Sequence, residues 1–438
     1  MLDLRPLRSL GFRHLAAACW INEFGNWIGE IALAVLVYDR THSPLATAVL
    51  FVSLRFLPAL LAPLLTTKVE AMPPRIVIGG LFLVEAGLFM GIAAITTHKF
   101  SLPAVLGLVG ADGVCAITAT ALVRTALATG LTRDNLLREG NALINLGVMV
   151  AIAGAPALAG LVIASHGSVD ALRIDAGTFA VAGLIILTAR HLVVESDREA
   201  GFRGRLRAGL TTLRTRPNIF RLLLAVSLVI GFASVALPIE VVFAKTTLHA
   251  GDTGYGLLLT SWGVGMLVGG LAFALRSDMR LMPLLGISTA MAAIGYGGMA
   301  IAPTLAIACP FSFIGGIGNS VAWVAARTTL QERIPLTRQA AVMSVLEAAN
   351  QVMPALGFMA GGVVTALTSP RIAYGISAAG IAVVVAIFMI WPIDRVPVST
   401  AHNANDASSA DTTRVELAAG LQETDASSRM SSRPLTSG

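Results

Sequence analysis

Twelve apolar runs, each of roughly bilayer length, follow one another through this chain, and no water-soluble fold can bury so many. They cover about 14–38, 44–67, 75–97, 100–124, 139–164, 171–194, 218–244, 253–275, 281–301, 303–327, 339–367 and 370–393. About 20 mostly apolar residues in an α-helix cross about 30 Å of hydrocarbon. The runs are continuous and not alternating, so they predict helices and not the strands of a barrel. Composition agrees: 55% of the residues are hydrophobic and 13% charged, where a soluble domain carries about 25% charge. The 43 glycines suit close helix packing in lipid. The expected fold class is therefore an all-α polytopic membrane protein of twelve transmembrane helices.

Charge placement sets the topology. With the N-terminus inside, one side of the membrane receives Lys68, Arg75, Arg124, Arg133, Arg138, Arg276, Arg280, Arg327, Arg333 and Arg338. The other side receives Arg40, Lys99, Arg173, Lys245 and Arg371. Basic loops stay in the cytoplasm, so both termini are expected there and the chain is expected in the inner (cytoplasmic) membrane. The same placement accounts for the net charge of +6 without nucleic acid. Between the sixth and seventh runs, Phe202, Leu206, Leu210 and Leu213 recur at helical spacing with arginines opposite them. Residues 195–217 should be a basic amphipathic helix on the anionic inner leaflet. The polar segment 395–438 has little to bury and should be disordered.

A weak internal repeat divides the spans. Phe12-Arg13 and Phe220-Arg221, Arg124-Thr125 and Arg327-Thr328, and Asn145 and Asn350 are offset by 208, 203 and 205 residues. These offsets predict two six-helix halves, 1–194 and 218–394, around a central cavity. Transporters built from such repeats bind substrate near the midplane between them.

The first run is unusually polar. It carries Asn22, Glu23, Asn26 and Glu30, which fall within about a 100° arc of one helix face. Carboxylates at this depth avoid lipid and turn toward protein or a water-filled cavity. Arg55, in the second run, needs an acid at its own depth; Glu30 is the best placed and Glu85 the competitor. A buried Arg–Glu pair keeps both groups charged, whereas a desolvated carboxylate that loses its cation takes up a proton. That property makes Glu30, then Glu23, then Asp112, the candidates for proton coupling. Asp112 sits in Gly110-Ala111-Asp112-Gly113, where small neighbours admit a close helix. Glu240, near the end of the seventh run, reads as an interfacial acid that snorkels to the surface, or alternatively as a gate residue. Asn22, Asn26 and Trp27 are candidate cavity residues, with Asn319 and Trp323 of the tenth span and Glu347, Asn350 and Gln351 of the eleventh.

No phosphate-cradling GxxxxGK[ST] loop occurs, and no Ser/His/Asp or metal-ligand constellation stands out. Cys19, Cys115 and Cys309 all lie inside apolar runs without ligand or disulfide spacing. The chain is expected to be no enzyme and to need no cofactor or metal, with a proton gradient as its energy source. Its expected partners are a small-molecule substrate, protons and lipid, and it should act as a monomer.

The layout resembles the major facilitator superfamily, most closely its twelve-span drug:proton antiporters. The local match is Leu136-Leu137-Arg138-Glu139-Gly140-Asn141-Ala142-Leu143, running into Gly154-Ala155-Pro156-Ala157-Leu158-Ala159-Gly160. In that branch the fifth span carries a Gly-Pro-x-x-Gly-Gly signature that shapes a proton-tight helix contact. Alanines stand here for two of its glycines, and the resemblance makes Gly154, Pro156 and Gly160 contact residues. Gly29-Glu30 and Tyr38-Asp39-Arg40-Thr41 resemble the branch's first span, where an acid follows Gly. The loop between spans two and three departs from the pattern. Thr66, Glu70 and Ala71 replace the expected Gly, Asp and Arg, and Arg75 remains; in the second half Asp278 lies between Arg276 and Arg280. Glu70, Arg75 and Asp278 are the corresponding gating candidates. The resemblance implies proton-driven export of an amphipathic drug or metabolite by alternating access. Uptake symport, export of a lipid-like or siderophore molecule, and a transport-inactive sensor or assembly protein are the alternatives.

Overall fold

The computed structural model describes residues 4–69, 72–133, 136–189, 202–275, 280–334 and 336–390. The first six spans are α1 (Leu10–Thr41), α2 (Pro44–Val69), α3 (Pro74–His98), α4 (Leu102–Arg133), α5 (Leu137–His166) and α6 (Ser168–Thr188). A connector helix, α7 (Phe202–Thr215), follows. The seventh span is composite: α8 (Pro217–Ser234), a 3-10 turn at Leu237–Ile239, a single α-turn α9 (Glu240–Val242) and a π-turn at Phe243–Thr247. The remaining spans are α10 (Gly251–Ala274), α11 (Leu281–Ile301), α12 (Leu305–Arg333), α13 (Leu336–Leu367) and α14 (Pro370–Ile390). Among the described residues, eleven stretches are long and apolar enough to cross a membrane. The twelfth span, α1, is 32 residues long; its polar stripe lowers its hydropathy without shortening it.

Local chemistry sets the helix ends. Proline opens α2, α3, α8 and α14, where a missing N–H costs no intrahelical bond. His42 ends α1 in a left-handed conformation (φ 49°), its N–H bonded to the Tyr38 carbonyl at 2.7 Å. A single residue, Gly167 (φ 86°), turns α5 back into α6, a backbone shape that a side chain would strain.

Each set of six spans packs mainly on itself. In the first, α1 and α3 pack on α6, α1 on α5, and α2 and α3 on α4; in the second, α12 packs on α10 and α11, and α14 on α8 and α11. Two helix pairs form the main junctions between the sets, α5 with α10 and α2 with α13, and the seventh span adds smaller contacts with α1 and α2. Both junctions use a missing side chain. Gly160 and Gly256 pass backbone to backbone, a Cβ on Gly160 falling 3.1 Å from the Gly256 Cα. Gly362 of α13 fits against Pro44, Leu45 and Ala48 of α2, with Phe51 and Phe358 stacked nearby at 5.6 Å between ring centroids.

Prolines inside the helices produce a further kind of contact. Pro58 has no N–H for the Leu54 carbonyl four residues earlier. That carbonyl oxygen faces Gly113 of α4, 2.9 Å from where a Cβ would stand. Pro156 likewise frees the Ile152 carbonyl, which abuts Gly263 of α10. In each case the freed acceptor meets the bare Cα of a neighbouring helix, a C–H···O geometry that recurs where helices pack closely.

The connector α7 is helical as its periodicity predicts, within the described part of residues 195–217. Its docking corrects the expectation of a helix that lies only on lipid. Gly209 presses on the Ala341 backbone of α13 and Leu213 is buried, while Leu210 stays exposed. Glu70, Asp278 and the segment 395–438 lie outside the described residues. We call the end of the bundle that bears the N-terminus and α7 the proximal end, and the end bearing His42 and Gly167 the distal end.

Candidate functional site

The polar stripe of α1 keeps its register. Asn22, Glu23, Asn26, Trp27 and Glu30 are all half-buried on a helix whose other positions from Ile31 to Tyr38 are buried. Arg55 of α2 donates through Nη2 to both oxygens of Glu30, at 2.8 and 2.7 Å. The pair lies about 16 Å below the distal helix ends, since each partner is eleven residues in at 1.5 Å per residue. The Glu30 side chain is 20% exposed and that of Arg55 50%, so the pair borders open space and is not sealed in the core. Glu23 continues the stripe toward the proximal end, with Trp27 beside its carboxylate and Arg124 of α4 within electrostatic reach.

Glu85 is not the partner of Arg55. Its side chain is fully buried, and neither of its oxygens has a hydrogen-bond partner among the described residues. It belongs to a different group. Glu85 of α3, Asp112 of α4 and Asp175 of α6 lie within electrostatic reach of one another, and all are at least nine-tenths buried. Asp175 sits in a notch of α1 made by two glycines one helical turn apart, where a Cβ on Gly25 or Gly29 would collide with its carboxylate. Thr178 donates to Asp175 Oδ1 at 3.1 Å, while Asp175 Oδ2 and Asp112 Oδ1 have no partner. The small residues around Asp112 do admit a close helix, α2, through the Gly113–Leu54 contact.

In the second six spans, Glu347 of α13 accepts from Arg327 of α12 at 2.5 Å, and the Arg327 guanidinium lies 4.7 Å over the Trp323 ring. These groups lie toward the proximal end. Asn319, about two turns further along α12, and Gln351 are half-buried; both amide atoms of Asn350 are buried without a partner. Trp323 is therefore part of a cation–aromatic stack as well as partly exposed.

Two further expectations need correction. Gly154 is not a helix contact: a Cβ there would meet nothing within 4 Å. The work of the α5–α10 junction falls to Pro156, through the Ile152 carbonyl it frees, and to Gly160. Glu240 is not a snorkelling surface acid but 7% exposed, because the 3-10 and π turns on either side of α9 rotate this stretch inward. Arg75 occupies the first turn of α3.

The sequence reading missed a distal ion bridge. Lys245, in the π-turn, contacts Asp39 of α1 at 2.5 Å and Asp252 of α10 at 2.7 Å. It ties the two sets of helices together with a side chain only 16% exposed. At the proximal end, by contrast, Arg5–Glu139 and Arg327–Glu347 each stay within one set. Among the described residues no group of His, Cys, Asp or Glu has metal-holding geometry, and the three cysteines are free.

This arrangement has structural relatives among solved transporters. A single-site mutant of the nucleoside transporter NupG superposes with a TM-score of 0.75 at 13% identity, covering 87% of this chain and 99% of its own. A bacterial homologue of the iron transporter ferroportin, in an inward-facing state, gives 0.70 at 15% identity, with 88% and 99% covered. A bacterial homologue of the human lysosomal transporter Spinster, inward-facing and occupied, gives 0.66 at 13%, with 88% and 97% covered. At such identities the likeness is one of fold. No curated protein matches the sequence. The family model described as transmembrane secretion effector matches residues 2–425. Twelve helices in two sets of six, joined at α5–α10 and α2–α13, together with that match, place the chain in the transmembrane secretion effector family of the major facilitator superfamily.

Proposed function

We propose that this protein exports an amphipathic small molecule across the cytoplasmic membrane by alternating access, driven by inward proton flow. The observation that carries the reading is the Glu30–Arg55 pair, which borders open space about 16 Å inside the bundle. An ion pair there stays charged while intact, and its acid takes up a proton when the cation moves away. Rocking of one half against the other separates or rejoins such partners, which couples proton uptake to the change of access. Lys245, bridging Asp39 and Asp252, supplies the distal latch.

The test is substrate movement in proteoliposomes with and without an imposed pH gradient. Glu30→Gln mimics the permanently protonated acid. It should retain substrate exchange down a gradient and lose concentration uphill, while Glu30→Asp should keep part of it. Uphill transport by Glu30→Gln at the wild-type level would make the stripe structural. Sidedness has its own test in a variant without the native cysteines. Cysteine at Ser196 or Ser408 should resist an impermeant thiol reagent applied to intact cells, and labelling at either position would reverse the orientation.

A further inference from the structure

At the proximal end the connector does not run straight into the seventh span. α7 stops at Thr215, and Arg216, in a non-helical conformation (φ −131°, ψ 80°), turns the chain into α8. This corner borders a cavity of about 230 Å³, lined by Thr215, Arg216, Pro217, Asn218, Ile219 and, from the last turn of α12, Arg333. Ile219 is buried in one apolar cluster with Leu330 and Ile334, which holds the start of α8 against the end of α12.

The charges that line this cavity have one sign. Arg216 and Arg333 are both half-buried, and neither side chain makes a hydrogen bond or ion pair with a described residue. An arginine at a helix C-terminus commonly caps the last carbonyls. Here that role is filled by Gln339, whose Nε2 donates to the Gln331 carbonyl at 2.7 Å and the Ile334 carbonyl at 3.3 Å. Glu332, beside Arg333 in sequence, is exposed and does not line the cavity. The opening turn of α8 adds a donor. Pro217 has no N–H, and Ile219 and Phe220 both donate to the Arg216 carbonyl at 3.1 Å, so the Asn218 N–H has no partner among the described residues. The Thr215 hydroxyl donates back to the Thr212 carbonyl and supplies none.

Two guanidiniums and an open helix N-terminus at one cavity select an anion. A carboxylate presents two oxygens and satisfies one guanidinium fork. A terminal phosphate presents three strong acceptors and can serve two arginines and the N–H together. We propose that this corner is a phosphate site, filled by the headgroup of an anionic lipid or by a free phosphate. Basic pockets between spans hold lipid phosphates in the same way. Phe220, Leu224 and Leu228, exposed at every fourth position of α8, give a lipid-borne phosphate an apolar lane for its chains. The bound anion would pin the corner between connector and seventh span to α12. Which leaflet supplies a lipid rests on the proposed orientation; the binding does not.

The experiment uses the delipidated full chain in detergent. Native mass spectrometry compares dioleoyl phosphatidic acid with dioleoylglycerol, which differ by the phosphate alone, and calorimetry follows inorganic phosphate. The wild-type protein should prefer the phosphatidic acid about tenfold. Arg216→Gln with Arg333→Gln should erase the preference, and the two lysine replacements should keep part of it. Arg8→Gln with Arg207→Gln, which removes the same charge from exposed positions at the same end, should change it less than about twofold. Binding of inorganic phosphate by wild type but not by the Arg216/Arg333 variant makes the free ion a sufficient ligand; binding of the phosphatidic acid alone makes the source a lipid. No preference in wild type overturns the proposal. So does a preference that survives in the Arg216/Arg333 variant, or an equal loss in the Arg8/Arg207 control, which would mean diffuse attraction to a basic surface. Should the double variant not be monodisperse, Arg333→Gln alone decides, with a severalfold loss expected and an unchanged preference overturning the site. Transport enters none of these readouts, so failure here leaves the export reading standing, and failure of that reading leaves this site.

Discussion

The two halves share an architecture and divide the chemistry. The first half holds Glu23, Glu30, Arg55, Glu85, Asp112 and Asp175 within its helices, and the second, apart from the Arg327–Glu347 pair, buries Tyr255, Tyr296 and Tyr374 in its core. In the first half, charge is arranged along an open face and in a sealed cluster of three acids. In the second, Phe243, Tyr374, Tyr296 and Trp262 form an unbroken run of ring contacts. Repeats of similar shape can thus diverge by exchanging what fills the same scaffold.

The largest expected effect tests the charged half alone. Arg55→Ala should reduce uphill transport to background. Its cost in folding should be no more than about 1 kcal/mol, because the Arg55 side chain is 50% exposed and solvent screens the pair. The double variant Arg55→Ala with Glu30→Gln should recover that stability without recovering coupling. Recovery by Glu85→Gln in place of Glu30→Gln would contradict the observed pairing.

Glycine substitutions sharpen the comparison next. Gly29→Ala drives a methyl into the Asp175 carboxylate and the Phe89 ring, and Gly265→Ala drives one into the Phe313 backbone. Each should destabilise by about 1–3 kcal/mol through overpacking. The first should be partly rescued by Asp175→Ala, which deletes an obstructing side chain; the second has no side chain to delete. Thermal melts of the single and double variants check this, and equal rescue of both would break the distinction.

Latch strength comes third. Lys245→Gln removes the cation from Asp39 and Asp252 and should weaken distal closure by roughly 1 kcal/mol, about a fivefold shift in population. Labelling of a cysteine at Ser43 should rise accordingly. The smallest effect is expected at Glu85→Gln, which removes a potential charge from a fully buried site without partners. It should leave the melting temperature unchanged or raise it by a few degrees, about 1 kcal/mol. A large loss would mean that the acid cluster holds a cation.

What the sequence disclosed follows from which distances are local. Span length, the stripe on α1 and the Glu30–Arg55 pairing were legible, because α1 and α2 are consecutive antiparallel helices whose depths can be counted from their shared turn. The acid cluster was not, since it requires the rotations of α3, α4 and α6 about their axes. Lys245 and Asp39 are 206 residues apart, and no spacing rule connects them. Glu240 was misread because nearness to the end of an apolar run implies the surface only for a regular helix. Its neighbours wind as 3-10 and π turns, which a count at 100° per residue does not foresee. At Gly154 a small residue was visible but not the direction it faces.

The glycine seam between α5 and α10 has a mechanical consequence. Gly160, Gly256 and Gly263 bring main chain to main chain, with freed carbonyls facing bare Cα atoms where large side chains would otherwise interlock. Interdigitated side chains give a junction discrete settings and a barrier between them. A smooth seam behaves instead as a plain bearing, on which one body rolls over the other with little friction and no preferred notch. The resting angle between the halves is then left to the clamps at the far edges, such as the Lys245 bridge to Asp39 and Asp252.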